Sequence, residues 1–355
     1  MTTDGTAVEP RGRALSWAAL GVVYLVWGST YLAIRVGDGH LPPLLFAGTR
    51  YVIAGALLYP IARRAASARR GPAQDNARPG DSARPGDSAR PGDSARPGAR
   101  AWLAGAVVGI LLLFAGNGGV TVGETTLPSG FAAVLVATVP LWMIVFAWPM
   151  QHQRITFRAA AALVVGLGGV IVLVGGGTAS GRIWSVILVL GAAAAWGFGS
   201  VLSHRLAVPS HAMLAAAIEM LAGGVVLLAV GAGSGELSRI GWSSIPATSW
   251  IALAYLIGPG SILGFTAYGY ALSHLPVTTV STYAYVNPVV AVLAGIVLLG
   301  EQFTWREGLG AALVLVSVVI TLRRSRGLSR PAPAPDGERP EAQTFPEDTG
   351  ALSRR

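Results

Sequence analysis

Ten long segments of this chain contain almost no charged residues, and this feature restricts the possible folds more than any other. Charged residues make up 12% of the 355 residues, about half of the share in a typical soluble domain. A helix needs about 20 apolar residues to cross a bilayer. Because the segments are apolar on every side, they lack the polar face that a helix of a soluble protein presents to water. The sequence therefore predicts an all-α integral membrane protein with ten transmembrane helices. The predicted spans are 14–34, 43–61, 102–120, 129–148, 159–174, 183–202, 212–230, 249–272, 278–299 and 308–322.

Three stretches lie outside these spans: a short tail at 1–13, a linker at 62–100 and a tail at 323–355. Within the linker, the hexapeptide Ala-Arg-Pro-Gly-Asp-Ser begins at Ala77 and recurs every six residues. Repeated Pro and Gly without apolar side chains predict disorder for the linker and, with its Pro, Glu and Arg content, for the C-terminal tail. The repeat is either a docking site or an expanded nucleotide repeat in a tolerant loop.

The arginines predict the orientation of the chain. All 26 basic residues are Arg, and basic residues are retained on the cytoplasmic side of a membrane. If the N-terminus lies inside, 21 arginines fall in cytoplasmic segments and four in external loops, while Arg50 lies within the second span. The protein is therefore expected in the inner membrane, with both termini in the cytoplasm. Nucleic-acid binding is not expected, because the linker has no aromatic residue to stack on bases.

The two halves of the chain match each other in sequence. A shift of 148 residues superposes rare residue types without a gap, and upstream of the linker a shift of 169 superposes Trp27 on Trp196. The residues matched at 148 include Trp102 with Trp250, Pro140 with Pro288, and Arg158 with Arg306. The difference between the shifts is accounted for by the longer linker, which is therefore an insertion into one copy of a duplicated unit.

Each copy contains five spans. The first copy comprises spans 1 and 2 at 14–61 and spans 3 to 5 at 101–175, and the second comprises spans 6 to 10 at 183–322. Because five is odd, the second copy enters the membrane upside down. Inverted repeats of this kind are typical of secondary transporters, in which the copies exchange shapes around a site near the midplane.

Several motifs resemble those of the EamA-like permeases of the drug/metabolite transporter superfamily. They are LVWGSTYLAIR at 25–35, GTRYVIAG at 48–55, the Gly-rich run at 116–142 and the stretch NPVVAVLAGIVLLGEQFTWREG within 287–319. The resemblance covers both halves apart from the tails and the linker. It implies a carrier for small molecules, commonly an exporter of amino acids, metabolites or drugs, and it does not specify the substrate.

Twelve residues are candidates for the substrate cavity: Trp27, Tyr31, Arg50, Asn117, Pro140, Trp196, Glu219, Tyr268, Tyr283, Tyr285, Asn287 and Pro288. Pro140 and Pro288 remove a helical N–H at matching positions, which predicts either symmetric kinks that line the cavity or helix bends covered by neighbouring helices. The aromatic and amide side chains either contact substrate or bind other helices and the membrane interface.

Arg50 and Glu219 are charged residues inside predicted spans, where a charge usually has a partner or a function. The two spans are equivalent in the two repeats. Four interpretations remain open: an ion pair between the halves, a proton-carrying Glu219, an Arg50 that binds a substrate carboxylate, or side chains that extend to lipid headgroups. Glu124 and Glu301 are expected to be external loop charges.

The sequence favours an inner-membrane permease that exports a small metabolite, amino acid or drug by alternating access, without a cofactor. The alternative is an integral-membrane enzyme that acts on a lipid or prenyl substrate, but no paired acidic motif supports it, and a channel is less favoured than a carrier. The absence of Cys excludes thiolate chemistry. A homodimer contact through small residues of the fifth or tenth span is possible, although packing within one chain is the expected use of such residues.

Overall fold

The computed structural model describes residues 10–68, 97–151, 156–175 and 182–323. These ranges are helical and contain no strand. Eight of their helical stretches are long and apolar enough to cross a membrane. The protein is therefore an all-α, multi-pass membrane protein. The repeat region of the predicted linker, at 69–96, and most of the predicted C-terminal tail lie outside the described residues.

The first half is built from seven α-helices and one π-helical segment. They are α1 (Pro10–Asp38), α2 (Pro43–Ala68), α3 (Ala99–Gly109), the first π segment (Ile110–Gly118), α4 (Gly119–Glu124), α5 (Ser129–Val136), α6 (Val139–Gln151) and α7 (Phe157–Val174). Because α3, the first π segment and α4 are continuous, they form one span.

The second half contains seven further α-helices and a second π-helical segment. They are α8 (Ile183–Ser203), α9 (Ala212–Gly233), α10 (Ala247–Tyr255), the second π segment (Leu256–Leu263), α11 (Gly264–His274), α12 (Val277–Val280), α13 (Tyr283–Leu299) and α14 (Trp305–Arg323). Short 3-10 turns at Glu236–Arg239 and Trp242–Ser244 connect α9 to α10.

The predicted linker begins later than the sequence analysis expected. Helix α2 continues past residue 61 to Ala68 and carries Arg63 and Arg64 in its last turns. Alanine and arginine are strong helix formers, and Gly71 is the first glycine after the span. Arg64 and its neighbours therefore extend the helix beyond the apolar segment, which is why hydropathy alone ended it too early.

Two spans are interrupted, and the breaks do not have the predicted symmetry. Helix α5 stops before Ala137 and Thr138, and Pro140 is the second residue of α6. A proline in the first turn costs no helical hydrogen bond. In the second half the break lies at residues 281–282, and Pro288 lies well inside α13. The prediction of matching proline kinks is therefore wrong.

Glycines permit the closest helix contacts. Helices α2 and α9 pack along each other, as do α7 and α14. A Cβ on Gly310 would lie 2.4 Å from the backbone nitrogen of Leu173, and a Cβ on Gly169 would lie 2.8 Å from that of Val314. Gly308, on the predicted small-residue face of the tenth span, meets nothing within 4 Å. The packed face of α14 is thus the Gly310 face, within the same chain.

Three carboxylates stabilise helix N-termini on the predicted external side. Glu236 accepts hydrogen bonds from the Leu44 and Leu45 N–H groups at the start of α2. Glu301 accepts from the N–H and hydroxyl of Ser129 and from the Gly130 N–H at the start of α5.

Glu307 acts within its own helix and accepts from the Thr304 N–H at 2.8 Å, while its own N–H donates to the Thr304 hydroxyl. This is a capping box. Each carboxylate satisfies donors that a helix start leaves unpaired and opposes the positive end of the helix dipole. Glu301 lies in the loop between α13 and α14, as expected, and its carboxylate binds the start of α5.

Candidate functional site

Aromatic side chains from three helices meet in one cluster, defined here as Trp27, Phe265, Tyr268 and Tyr283. The Trp27 ring centroid lies 5.2–5.3 Å from those of the other three rings. Tyr268 and Tyr283 are 5.7 Å apart and nearly perpendicular. Edge-to-face contacts of this kind stabilise aromatic pairs by about 0.5–1.5 kcal/mol each. Three predicted candidates are therefore neighbours, and the aromatic cluster joins α1 to α11 and α13.

The second π segment holds both Trp27 and Arg50. The Trp27 indole N–H donates to the Gly260 carbonyl at 3.2 Å. The Arg50 Nε donates to the Ser261 hydroxyl at 3.1 Å, and that hydroxyl donates to the Leu256 carbonyl five residues back. A π-helical stretch leaves local irregularity in the backbone and is frequent at functional sites. The predicted aromatic and cationic candidates therefore converge on one irregular stretch.

Arg50 is buried at 5% exposure. Its guanidinium carbon lies 4.7 Å from the centroid of the Tyr51 ring, which is within cation–π range. A Cβ on Gly260 would lie 3.5 Å from the Arg50 Nη2, so the side chain lies directly over the glycine backbone. A buried cation held by a ring and one hydroxyl retains guanidinium donors for an anionic group.

Arg50 and Glu219 are not partners in this structure. Gly48 of α2 faces Leu228 of the antiparallel α9. In this register Glu219 lies about two helical turns from the level of Arg50, or roughly 10 Å along the axis. The ion-pair interpretation is therefore wrong. It failed because the repeat alignment matched the residues in sequence, whereas the antiparallel contact fixes which residues are level.

The first π segment carries a second set of candidates. A Cβ on Gly116 would lie 3.0 Å from the Trp196 ring, so this indole packs directly on the glycine. Asn117 follows at once, and its side-chain oxygen is buried without a hydrogen-bond partner. Glu219 is half-buried, with its backbone against Gly109, one residue before the segment.

The remaining candidates are placed on α1, α6 and α13. Tyr31 is close enough to interact electrostatically with Tyr283. Asn287 is 7% exposed, and its side-chain oxygen is buried without a partner. Tyr285 is half-buried, and residues two apart on a helix do not share a face, so it points away from Tyr283. Pro140 and Pro288 are buried within their helices.

Sequence reasoning missed several residues at the site. Tyr24 of α1 hydrogen-bonds the Thr282 hydroxyl at the break before α13, and Ser29 bonds the Tyr255 hydroxyl at 2.6 Å. Small polar residues inside apolar spans gave the only signal for them. Glu124 was expected in a loop, yet it is fully buried. Among the described residues, no group of three or more acidic or His side chains is placed to hold a metal ion.

Comparison with known proteins decides the family. The profile of the EamA-like transporter family matches residues 89–175 and 183–323. The chain belongs to the EamA-like transporter family. The resemblance seen in the motifs is thereby confirmed, and the chain is a membrane transporter. The family places the chain among transporters rather than among lipid-modifying enzymes, so the enzyme alternative is not favoured.

Curated relatives within this family are named as transporters. The chain is 37% identical over 324 residues to the uncharacterized inner membrane transporter YedA of Escherichia coli, covering 90% of this chain and 94% of YedA. It is 28% identical over 215 residues to a probable terminal-alkyne amino-acid exporter of Streptantibioticus cattleyicolor, covering 60% of this chain and 70% of the exporter. A solved crystal structure with 19% identity superposes with a TM-score of 0.55 over 89% of this chain and 99% of the other, which supports the fold alone.

The position of Trp27 can be tested through Gly264. A Cβ there would lie 2.3 Å from the Trp27 Nε1, so Gly264→Ala must displace an indole that three rings and the Gly260 carbonyl hold in place. Overpacking of this kind costs about 1–3 kcal/mol. We expect a lower thermal unfolding temperature for the purified variant in detergent.

The matched control is Gly269→Ala on the same helix, where a Cβ meets nothing within 4 Å. Alanine is the better helix former by up to about 1 kcal/mol, so this variant should be as stable as the parent or more so. Equal stability of the Gly264→Ala and Gly269→Ala variants would show that Trp27 does not pack on α11.

Proposed function

We propose that this chain is an inner-membrane carrier that exports an amino acid with an apolar side chain by alternating access. The transport site lies between two inverted five-helix repeats, beside the aromatic cluster and the second π segment. Spans 1 to 5 form the first repeat and spans 6 to 10 the second, with α12–α13 as the ninth span and α14 as the tenth. The proposal joins the family membership to the geometry around Trp27 and Arg50.

The helix contacts support an inverted repeat. A two-fold axis that exchanges spans 1 to 5 with spans 6 to 10 makes span 2 equivalent to span 7 and span 5 equivalent to span 10, so contacts within these two pairs are compatible with it. These are the contacts of α2 with α9 and of α7 with α14. The axis also relates the contact of α1 with α13 to that of α8 with α6, and both are present. The two family matches, one in each half, agree with a duplicated unit.

The observation that carries the proposal is the reciprocal packing of two tryptophans on the two π segments. Trp27 of the first half contacts Gly264 at the end of the second π segment, and Trp196 of the second half contacts Gly116 in the first. Gly264 and Gly116 are equivalent under the 148-residue shift. Each half therefore places a large ring on the irregular helix of the other half. A change in the geometry of that helix moves the ring that packs on it. Such a pair supplies two related shapes, as alternating access requires.

The chemistry around the second π segment fits an amino acid. Arg50 supplies a guanidinium for a carboxylate. The aromatic cluster beside it offers ring faces to an apolar side chain. The unpartnered Asn287 oxygen accepts a hydrogen bond from an amine, and a buried acceptor without a donor is costly unless a ligand or water satisfies it. The named function of the Streptantibioticus relative, an amino-acid exporter, agrees with this substrate class.

The expected orientation places both termini in the cytoplasm, because most arginines then lie on that side. The chain has no Cys, so single cysteines test this directly. In intact cells a membrane-impermeant maleimide should label Thr126→Cys, at the predicted external end of the third span. It should leave Ser67→Cys, at the exposed end of α2, unlabelled until the cells are opened. If only Ser67→Cys were labelled in intact cells, the chain would have the opposite orientation.

Transport is tested with the purified full chain in liposomes loaded with radiolabelled phenylalanine and leucine. We expect downhill efflux that loaded liposomes without the protein do not show. Trp27→Ala removes the ring that contacts all three partners in the aromatic cluster. Loss of about 1.4 kcal/mol of binding energy corresponds to a tenfold weaker affinity, so we expect a rise of about tenfold in the half-saturating concentration.

The control is Trp184→Ala, which removes a tryptophan that is 79% exposed on the outer surface of α8. Its efflux should equal that of the parent chain. An equal loss in both variants would assign the effect to general disturbance of the fold. If neither amino acid leaves the liposomes through folded parent protein, the proposed substrate class is wrong.

A further inference from the structure

Two carboxylates on the predicted external side have no structural use. Of the six acidic residues in the described ranges, Glu236, Glu301 and Glu307 cap helix N-termini. In contrast, Asp38 and Glu124 each have both carboxylate oxygens buried without a hydrogen-bond partner. Glu124 is 0% exposed. An ionised carboxylate without donors is unstable at such a position, so these groups require a proton or a cationic ligand.

The position of Glu124 connects an external cleft to the proposed transport site. Asp38 lines a cleft of about 710 Å³, together with Arg35, Thr125 and Glu301. Arg50, the guanidinium bound to Ser261 of the second π segment, is close enough to Glu124 to interact with it electrostatically. The charges that act on Glu124 are those of Asp38 and Glu301, which repel it, and of Arg35 and Arg50, which attract it.

Arg35 does not hydrogen-bond the Glu124 carboxylate. Its Nη1 donates to the backbone carbonyls of Glu124 and Thr125 at the C-terminus of α4, where a cation complements the helix dipole. Asp38 faces Arg35 on its own helix, and Glu236 and Glu124 from neighbouring elements. The Tyr31 hydroxyl is near enough to interact with Glu124 and also with Tyr283 of the aromatic cluster. The Glu124 carboxyl group is thus within electrostatic range of Tyr31 and Arg50, and Tyr31 in turn is within range of the aromatic cluster.

We propose that Glu124 is a proton-binding site of this carrier, and that a proton and the ammonium group of the substrate occupy it in turn. The proposal rests on the proposed function for the identity of the substrate. A hydronium ion in the water of the external cleft, which Asp38 lines, gives its proton to the Glu124 carboxylate, which becomes a neutral acid, and leaves as water. When the site is open to the cytoplasm, the acid releases the proton to water and the carboxylate binds the ammonium group, while Arg50 binds the carboxylate of the same molecule. Because the two cations exclude each other at one carboxylate, export of substrate is exchanged for entry of a proton.

The test observes the proton without a substrate. The full chain is reconstituted in lipid, and infrared difference spectra follow the C=O stretching band of buried carboxylic acids as the pH is changed. Because Asp38 and Glu219 also contribute carboxyl groups, the Glu124 component is the difference between the spectra of the parent chain and of Glu124→Gln. We expect this component to titrate in the parent chain and to be absent from Glu124→Gln, which mimics the neutral acid and should fold. The matched control is Glu307→Gln. Glu307 is also fully buried, but its capping box tolerates glutamine, so the titrating band should remain.

A second variant keeps the test decisive if Glu124→Gln is poorly folded. Asp38→Asn removes a negative charge that repels the Glu124 carboxylate, so the midpoint of the band should move to lower pH. A parent chain without a titrating band, a titration that Glu124→Gln leaves unchanged, or an unmoved midpoint in Asp38→Asn would overturn the proposal. A band that sodium ions alter at constant pH would overturn it in favour of a sodium site.

The exchange of cations is tested on the same sample with two probes. Phenylethylamine carries the ammonium group without a carboxylate, and 3-phenylpropionate carries the carboxylate alone. At a pH where Glu124 is protonated, the amine should reduce the acid band and the carboxylate should not. A titrating band that the amine leaves unchanged would refute competition. Liposomes that show this competition but no amino-acid efflux would instead reject the proposed function.

Discussion

The structure depends on the requirement that polar groups inside a bilayer find their partners within the protein. Hydrocarbon supplies no hydrogen bonds, so each interruption of a helix exposes backbone groups that the protein itself must satisfy. Glu236 and Glu301 meet this requirement from other segments of the chain, because each binds the first N–H groups of a distant helix. These contacts tie the loops after α9 and α13 to the starts of α2 and α5. The external ends of α2 and α5 are therefore held by carboxylates in addition to apolar packing.

The same requirement identifies the groups that are left for function. Arg50 has one hydroxyl partner, and Asn287 and Glu124 have buried oxygens without a donor. In a region where unsatisfied groups are costly, their presence needs an explanation beyond stability. All three lie on elements that contact α1, which also carries Trp27. A ligand with a carboxylate, an ammonium group and an apolar side chain would satisfy the charged and polar groups together.

The sequence predicted the helices well and their internal geometry poorly. Ten apolar segments were predicted as spans, and eight of the described helices are long and apolar enough to cross a membrane, because hydropathy reports burial in lipid directly. The alignment of the halves also located Trp27 and Trp196, which pack on equivalent glycines. It failed for Arg50 with Glu219, since a repeat alignment does not determine how antiparallel helices meet. The prediction of a loop charge at Glu124 also failed, because a carboxylate at the end of a span looks the same in sequence whether it faces water or is covered by a neighbouring helix.

The central claim is that the halves move relative to each other during transport. The hydroxyls of Thr126, after α4, and Ser185, in the first turn of α8, are 2.7 Å apart at the predicted external end. Cysteines at both positions in this Cys-free chain should form a disulfide that joins the third span to the sixth. The decisive measurement is amino-acid efflux from liposomes before oxidation, after oxidation and after reduction. The account predicts that oxidation stops efflux and reduction restores it, whereas full efflux through the cross-linked protein would contradict alternating access.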